Sequence, residues 1–148
     1  MAQFNSESFE GMSSLPTNSH GGMLMRHRCA IRFAVQTVIA EGDNLVLARL
    51  PAGYVIDQIT VDTDGITGLA VNLVQKETVE AVEKTTLASA VDLATAGVAD
   101  VKVEKDAIRF DGSDQSLYLV AEATAGGTFA VGDEVGVTFS YRYRQVAT

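Results

Sequence analysis

The chain has 148 residues, a formal net charge of −8, 47% hydrophobic residues and one cysteine. A domain of this length buries roughly 70% of the surface its unfolded chain exposes, so one core can hold it without staples. The single cysteine, Cys29, excludes an intrachain disulfide and is expected to pack as a small hydrophobe in a reducing compartment, and no apolar run approaches the roughly 18 residues a membrane span requires.

Residues 1–25 differ in composition from the rest of the chain. They are rich in Ser, Asn, Gly and Met, with isolated apolar residues at Phe4, Phe9, Met12, Leu15, Met23 and Met25. Asn5, Ser6, Glu7 and Ser8 interrupt any apolar block, and the start is not basic, so the segment does not read as a signal peptide. The expected location is therefore the cytoplasm or something assembled there. The apolar residues keep neither a strand period nor a helical one, Pro16 breaks the middle, and Gly21–Gly22 loosens the end. Two readings stay open: a disordered terminus, or a flexible N-terminal arm that orders on a partner. The expected organisation is an arm over 1–25 and a β domain over 26–148.

Arg26, Arg28 and Arg32, with His27, form a small basic cluster where the arm ends. From Asp57 to Glu134, by contrast, there are fifteen acidic and five basic residues. Such a body repels nucleic acid, whose affinity comes largely from Lys and Arg displacing counterions. The cluster is accordingly read as a polar strand face or a contact to an acidic neighbour, ahead of nucleic acid.

From Arg28 onward the pattern is mostly strands. Cys29, Ile31, Phe33 and Val35 alternate with Arg28, Arg32 and Gln36, the period-two signature of a half-buried strand over Arg28–Val38. A turn at Glu41–Asn44 leads to a short apolar strand, Leu45–Leu50, and Pro51–Gly53 turns the chain again. Tyr54–Thr63 is rich in Val, Ile and Thr and ends at Asp62–Gly65, read as a hairpin turn; Leu69, Val71 and Leu73 then alternate. In Lys76–Ala96, residues Glu77–Lys84 are equally compatible with a helical turn or two, with Val79 and Val82 on one side, and with an acidic-faced strand and a long loop. Residues 98–103 and 107–110 read as short strands around a Lys105–Asp106 turn, Asp111–Asp114 as a turn and Leu117–Ala123 as a strand. The clearest element is the last: Val135, Val137, Phe139, Tyr141 and Tyr143 share one face, and Gly136, Thr138, Ser140, Arg142 and Arg144 the other. Seven to nine short strands with turns between them, and no long amphipathic helix for parallel crossovers, predict an all-β sandwich or barrel.

The same residues offer little chemistry. His20 falls in the arm and His27 beside two arginines, so neither has the orienting partner a general base needs. Zinc would need more His and Cys than the chain holds. Asp62-Thr-Asp-Gly65 resembles the start of a calcium loop, but Ile66–Leu69 supplies no closing Glu. Paired carboxylates for glycoside hydrolysis are unmarked, and without Trp the usual sugar-stacking platforms are lacking. The glycines fall between strands, not in a phosphate-cradling loop before a helix. Tyr141 and Tyr143 with Arg142 and Arg144 are read as two core tyrosines and two outer arginines, or as a subunit contact, where Tyr and Arg are enriched. No enzyme, no cofactor and no metal is expected.

Three segments carry a resemblance. Val46-Leu-Ala-Arg-Leu-Pro-Ala-Gly-Tyr-Val-Ile-Asp57, followed by a strand and an Asp-rich turn, the stretch Leu87–Gly97, and Ala125–Phe139, which looks like a closing hairpin, are together similar to motifs of small structural proteins of tailed bacteriophages. The resemblance spans about residues 30–144. It implies a jelly-roll-like β-sandwich with an extended N-terminal arm, located in the virion head and made in the host cytoplasm. It further implies a capsid decoration (cement) or minor capsid protein: a homo-oligomer, trimer before dimer, that binds the major capsid protein on the outer surface of the head and bridges its subunits. Phe4, Phe9, Leu15, Met23 and Met25 would then be apolar anchors, and Arg26, Arg28 and Arg32 would meet acidic capsid surface, with no direct nucleic acid and no membrane. A tail or head–tail connector component is the alternative within the class. A carbohydrate- or receptor-binding module is the alternative outside it, since jelly rolls also occur in lectins.

Overall fold

The computed structural model describes residues 2–6, 24–81, 83–109 and 115–143. Alternating sequences become strands because one face of each can be buried while the other stays wet. Eleven strands form among these residues: β1 (Gln3–Asn5), β2 (Leu24–Arg32), β3 (Thr37–Ile39), β4 (Asn44–Leu50), β5 (Tyr54–Thr63), β6 (Ala70–Lys76), β7 (Glu83–Asp92), β8 (Gly97–Val101), β9 (Leu117–Ala125), β10 (Gly127–Phe129) and β11 (Glu134–Tyr143). A single helical turn, α1 (Lys105–Ile108), lies between β8 and β9.

Two sheets pack face to face. One has the order β1-β4-β9-β6-β7 and the other β2-β11-β5-β8, while β3 and β10 pair with each other as a separate ribbon. Apart from the β6–β7 hairpin, and setting β3 and β10 aside, each step along the chain from β2 to β11 passes from one sheet to the other. This is a jelly-roll β-sandwich, built as two Greek keys. All pairings are antiparallel except β1 with β4.

The core lies between the sheets. Ile31, Leu45, Leu47, Ile56, Leu73, Leu119, Phe129, Phe139 and Tyr141 are all buried in it, each large side chain contributing about 1.5–3 kcal/mol relative to exposure. Aromatic clusters lie near both ends. Phe33 packs edge-on against Phe4 and Phe129, with ring centroids at 5.5 and 5.0 Å. Further along β11, Tyr54 touches Tyr141 and Tyr143 at 5.7 and 5.6 Å. Gly53 must be glycine here: its φ is +83°, and a Cβ would sit 2.6 Å from the Tyr143 ring. Cys29 is fully buried and forms no disulfide, and burial raises the pKa of the Tyr141 hydroxyl, with Tyr54 and Cys29 adding to it.

The alternation expected of the last strand holds for Val135, Val137, Phe139 and Tyr141, and Tyr143, the strand's last residue, packs its ring on Tyr54 while staying 42% exposed. Other expectations are corrected. The choice left open over Lys76–Ala96 falls to a strand at residues 83–92, and Val79, ahead of it, packs on the outside of the five-stranded sheet. Residues 105–108, overlapping an expected strand, are helical, because only Ala107 there reaches the core. The Arg28–Val38 strand stops at Arg32 and resumes as β3. Asp62–Gly65 turns the chain, but it joins strands of different sheets and so is no hairpin: Asp64 Oδ2 accepts the Glu134 N–H at 2.8 Å and the Thr63 hydroxyl donates to the Leu93 carbonyl at 3.0 Å. Ala125–Phe139 is likewise no hairpin, since β10 pairs with β3. Asp111–Asp114 lies outside the described residues.

Candidate interaction surface

The two sheets treat their outer faces differently. On the five-stranded sheet, Val46, Val74 and Val120 form a second small apolar cluster, with Val79 and Tyr118 packed on it. Lys76 is buried on the same face, its ammonium paired with Glu122. The Asn44 amide nitrogen donates to the Val79 carbonyl at 3.5 Å, tying down the segment that covers the cluster.

The four-stranded sheet instead presents charge to solvent. Its register sets Arg28, Thr138, Thr60 and Asp100 in one row across β2, β11, β5 and β8. The Arg28 guanidinium donates to Asp62 at 2.6 and 3.2 Å and to Glu134 at 3.3 Å, and this carboxylate pair raises its pKa further, the Asp62 hydrogen bond foremost. Gly136 makes room for that contact: a Cβ there would lie 2.4 Å from Arg28 Nη2 and 2.5 Å from Asp62 Oδ1. Arg142 and Asp57 approach to 3.5 Å. Basic residues thus gather on β2 (Arg26, Arg28, Arg32), and acidic ones towards β5 and β8 (Asp57, Asp62, Asp100).

The sheet edges differ as well. The β4 edge is covered by β1, whose docking is fixed by Asp43: its carboxylate accepts the Ala40 N–H at 2.9 Å and the Ala2 N–H at 3.0 Å. These backbone donors, Ala40 first, lower the Asp43 pKa. Ser6 completes the dock, its N–H on the Val46 carbonyl at 2.8 Å and its buried hydroxyl on the Leu47 carbonyl. The β7 edge is irregular, with three register shifts against β6 and Ala90 at φ +54°, a conformation costly for a residue with a Cβ and held by the Asn72 side chain on the Ala90 N–H. Strands β2 and β8 pair with their neighbours without any shift. Between β7 and β8 runs a cleft of about 530 Å³, lined by Ala90, Asp92, Val98, Asp100 and Glu104 among others. Among its lining residues, the Asp92 carboxylate accepts the Thr95 hydroxyl at 3.2 Å and the Glu104 carboxylate accepts the Ser89 hydroxyl at 3.2 Å.

The residues singled out as anchors divide into three groups. Phe4 and Met25 pack against the protein's own core. Arg26, Arg28 and Arg32 are exposed on the outer face of β2. Phe9, Leu15 and Met23 lie outside the described residues, as does His20. His27 lies on the opposite side of β2 from the arginines, its ring edge-on to Phe139 at 6.3 Å, and burial lowers its pKa. Sequence reading missed Val98, 76% exposed, and Asp100 as surface features. Val98-Ala-Asp-Val alternates visibly, but nothing local says that β8 ends a sheet. Among the described residues no group of three or more His, Cys, Asp or Glu side chains gathers as a metal site, and no helix is long and apolar enough to cross a membrane.

No family model and no curated protein matches this chain. Two solved structures share its fold. A chain in the capsid of Ralstonia phage GP4 superposes with a TM-score of 0.77 at 16% identity, covering 99% of this chain and 100% of that one. A chain in the cyanophage Pam1 capsid asymmetric unit superposes with a TM-score of 0.53 at 15% identity, covering 90% and 93%.

Proposed function

We propose that the chain is a structural protein of a phage head, a decoration (cement) protein that binds the outer surface of the capsid and bridges its subunits. The observation that carries this is the end-to-end likeness to a chain of the Ralstonia phage GP4 capsid, over 99% of this chain and 100% of that one. A bare, charged sheet face suits repeated shallow contacts, and many modest contacts over a lattice sum to a large total by avidity. Its partners are the major capsid protein and further copies of itself, with a trimer as the expected assembly. The apolar residues Phe9, Leu15 and Met23 are the anchors that engage the capsid, supported by Arg32.

Binding of the purified full chain to phage heads stripped of it, read by cosedimentation and then by cryo-electron microscopy, tests the reading. Density on the outer head surface at subunit junctions is expected; density in the tail or connector would overturn it in favour of that alternative. Deleting residues 1–25 should abolish head binding. Because that deletion also removes β1, the triple change Phe9→Ser, Leu15→Ser, Met23→Ser is the sharper test, and unchanged binding by it would sink the anchor assignment.

A further inference from the structure

Among the described residues the four-stranded sheet ends in β2, which carries Arg26, Arg28 and Arg32, and in β8, which carries Asp100, and the two run in opposite directions. With β2-β11-β5-β8 antiparallel at every step, β2 and β8 run in opposite directions. A second copy set beside the first in the same orientation therefore brings its β2 antiparallel to β8. We infer that this protein self-associates head to tail by such a sheet extension, β8 of one copy pairing with β2 of the next. The inference deepens the self-association named under the proposed function and gives it a surface.

Four observations support the second copy as occupant. Natural proteins blunt exposed edges with bulges, covers or charge. Here the five-stranded sheet has a strand over one edge and a bulged strand at the other, whereas β2 and β8 are free of register shifts. The charges on the two edges are opposite in sign, Arg26, Arg28 and Arg32 against Asp100, so copies attract where like edges repel. Outer-face residues must meet outer-face residues, which restricts the register to steps of two. Of these, Asp100 opposite Arg26 of the second copy is favoured. It sets Val98 against the stem of Arg28, already held by Asp62 and Glu134, and Lys102 beside Leu24, which is 54% exposed. Shifting to Asp100 opposite Arg28 would oppose Lys102 and Arg26, two like charges. The Asp100 carboxylate accepts the Thr60 hydroxyl through Oδ1 at 2.9 Å, which orients the group and leaves its second oxygen for the arginine. A head-to-tail contact closes into a ring when the rotation per copy allows it.

The test uses the full chain without capsid, so its failure is separate from failure to bind heads. Sedimentation velocity over rising concentration should show oligomers that weaken with salt. Arg26→Asp and Asp100→Arg should each weaken association at least tenfold, and an equimolar mixture of the two variants should restore it. In a Cys29→Ala background, oxidation of the Arg26→Cys, Asp100→Cys protein should give a ladder of covalent oligomers, and neither single cysteine should pass the dimer. Circular dichroism of each variant is the fold control, with a spectrum matching wild type expected. A wild-type monomer at all concentrations, association indifferent to both charge reversals, or no ladder would each overturn the inference.

Discussion

The two outer faces of the sandwich solve the same problem in opposite ways. The five-stranded sheet buries its outer face under its own chain, with Val79 over Val46, Val74 and Val120 and the Lys76–Glu122 pair beneath. The four-stranded sheet leaves Arg28, Asp62, Glu134, Arg142 and Asp57 in water. A face covered from within has no contacts to give away; a face that keeps its charges solvated and its edges regular does. Under the proposed function, the difference separates the outer face that the fold itself uses from the outer face offered to partners.

The strongest way to break this contrast is to place a charge on each face. Val120→Asp puts a carboxylate into the covered cluster and should lower unfolding free energy by about 3 kcal/mol or more. Thr138→Asp, at the centre of the open face, should change it by under ~0.5 kcal/mol. Equal losses in urea denaturation would erase the distinction. Next, Glu122→Ala strands the buried Lys76 ammonium and should cost about 2–3 kcal/mol, somewhat below a fully buried pair because Glu122 is partly exposed. Arg28→Ala should cost less than ~1 kcal/mol, and adding Lys76→Met to Glu122→Ala should recover most of that variant's loss. Smaller again is Gly136→Ala, whose methyl displaces the Arg28–Asp62 contact. A loss below ~1 kcal/mol is expected, together with a weaker salt dependence of stability than wild type.

The smallest effect concerns the edge cover. The Asp43 pKa is lowered in the folded protein, chiefly by the Ala40 N–H and then by the Ala2 N–H. Its contribution is fully present above the unfolded value of about 3.9 and is lost as pH falls through the lower folded value. Amide exchange in Gln3–Ser6 should therefore accelerate below about pH 4, beyond its intrinsic pH dependence, before the sandwich unfolds. Asp43→Asn should show no such step, and a wild-type profile without one would remove Asp43 as the clasp.

The sequence is legible where its information is local. Val135–Tyr141 announces itself because alternation is a property of neighbouring residues, and so does the β5 run of Val, Ile and Thr. Glu77–Lys84 is ambiguous because Val79 is apolar without belonging to any strand's inner face; it plugs a surface that only the assembled sheet creates. Residues 107–110 mislead because one buried alanine leaves too little pattern to tell a helical turn from a strand. The sheet edges are invisible for the same reason. Whether a strand is central or terminal depends on partners a hundred residues away, as with Arg28 and Glu134, which are 106 positions apart. The covering strand β1 escapes notice because three residues are too few for a period.

The position of β11 has a consequence for the order of events in the cell. It lies between β2 and β5 at the middle of the four-stranded sheet, yet comes after both in the chain. At synthesis rates of roughly 5–20 residues per second, β2 waits on the order of ten seconds for the strand that seats it. Until then this sheet has no centre, and a regular, charged β2 edge has nothing behind it to hold it flat. The surface on which copies would meet is therefore finished last, after emergence of the strand that closes the fold.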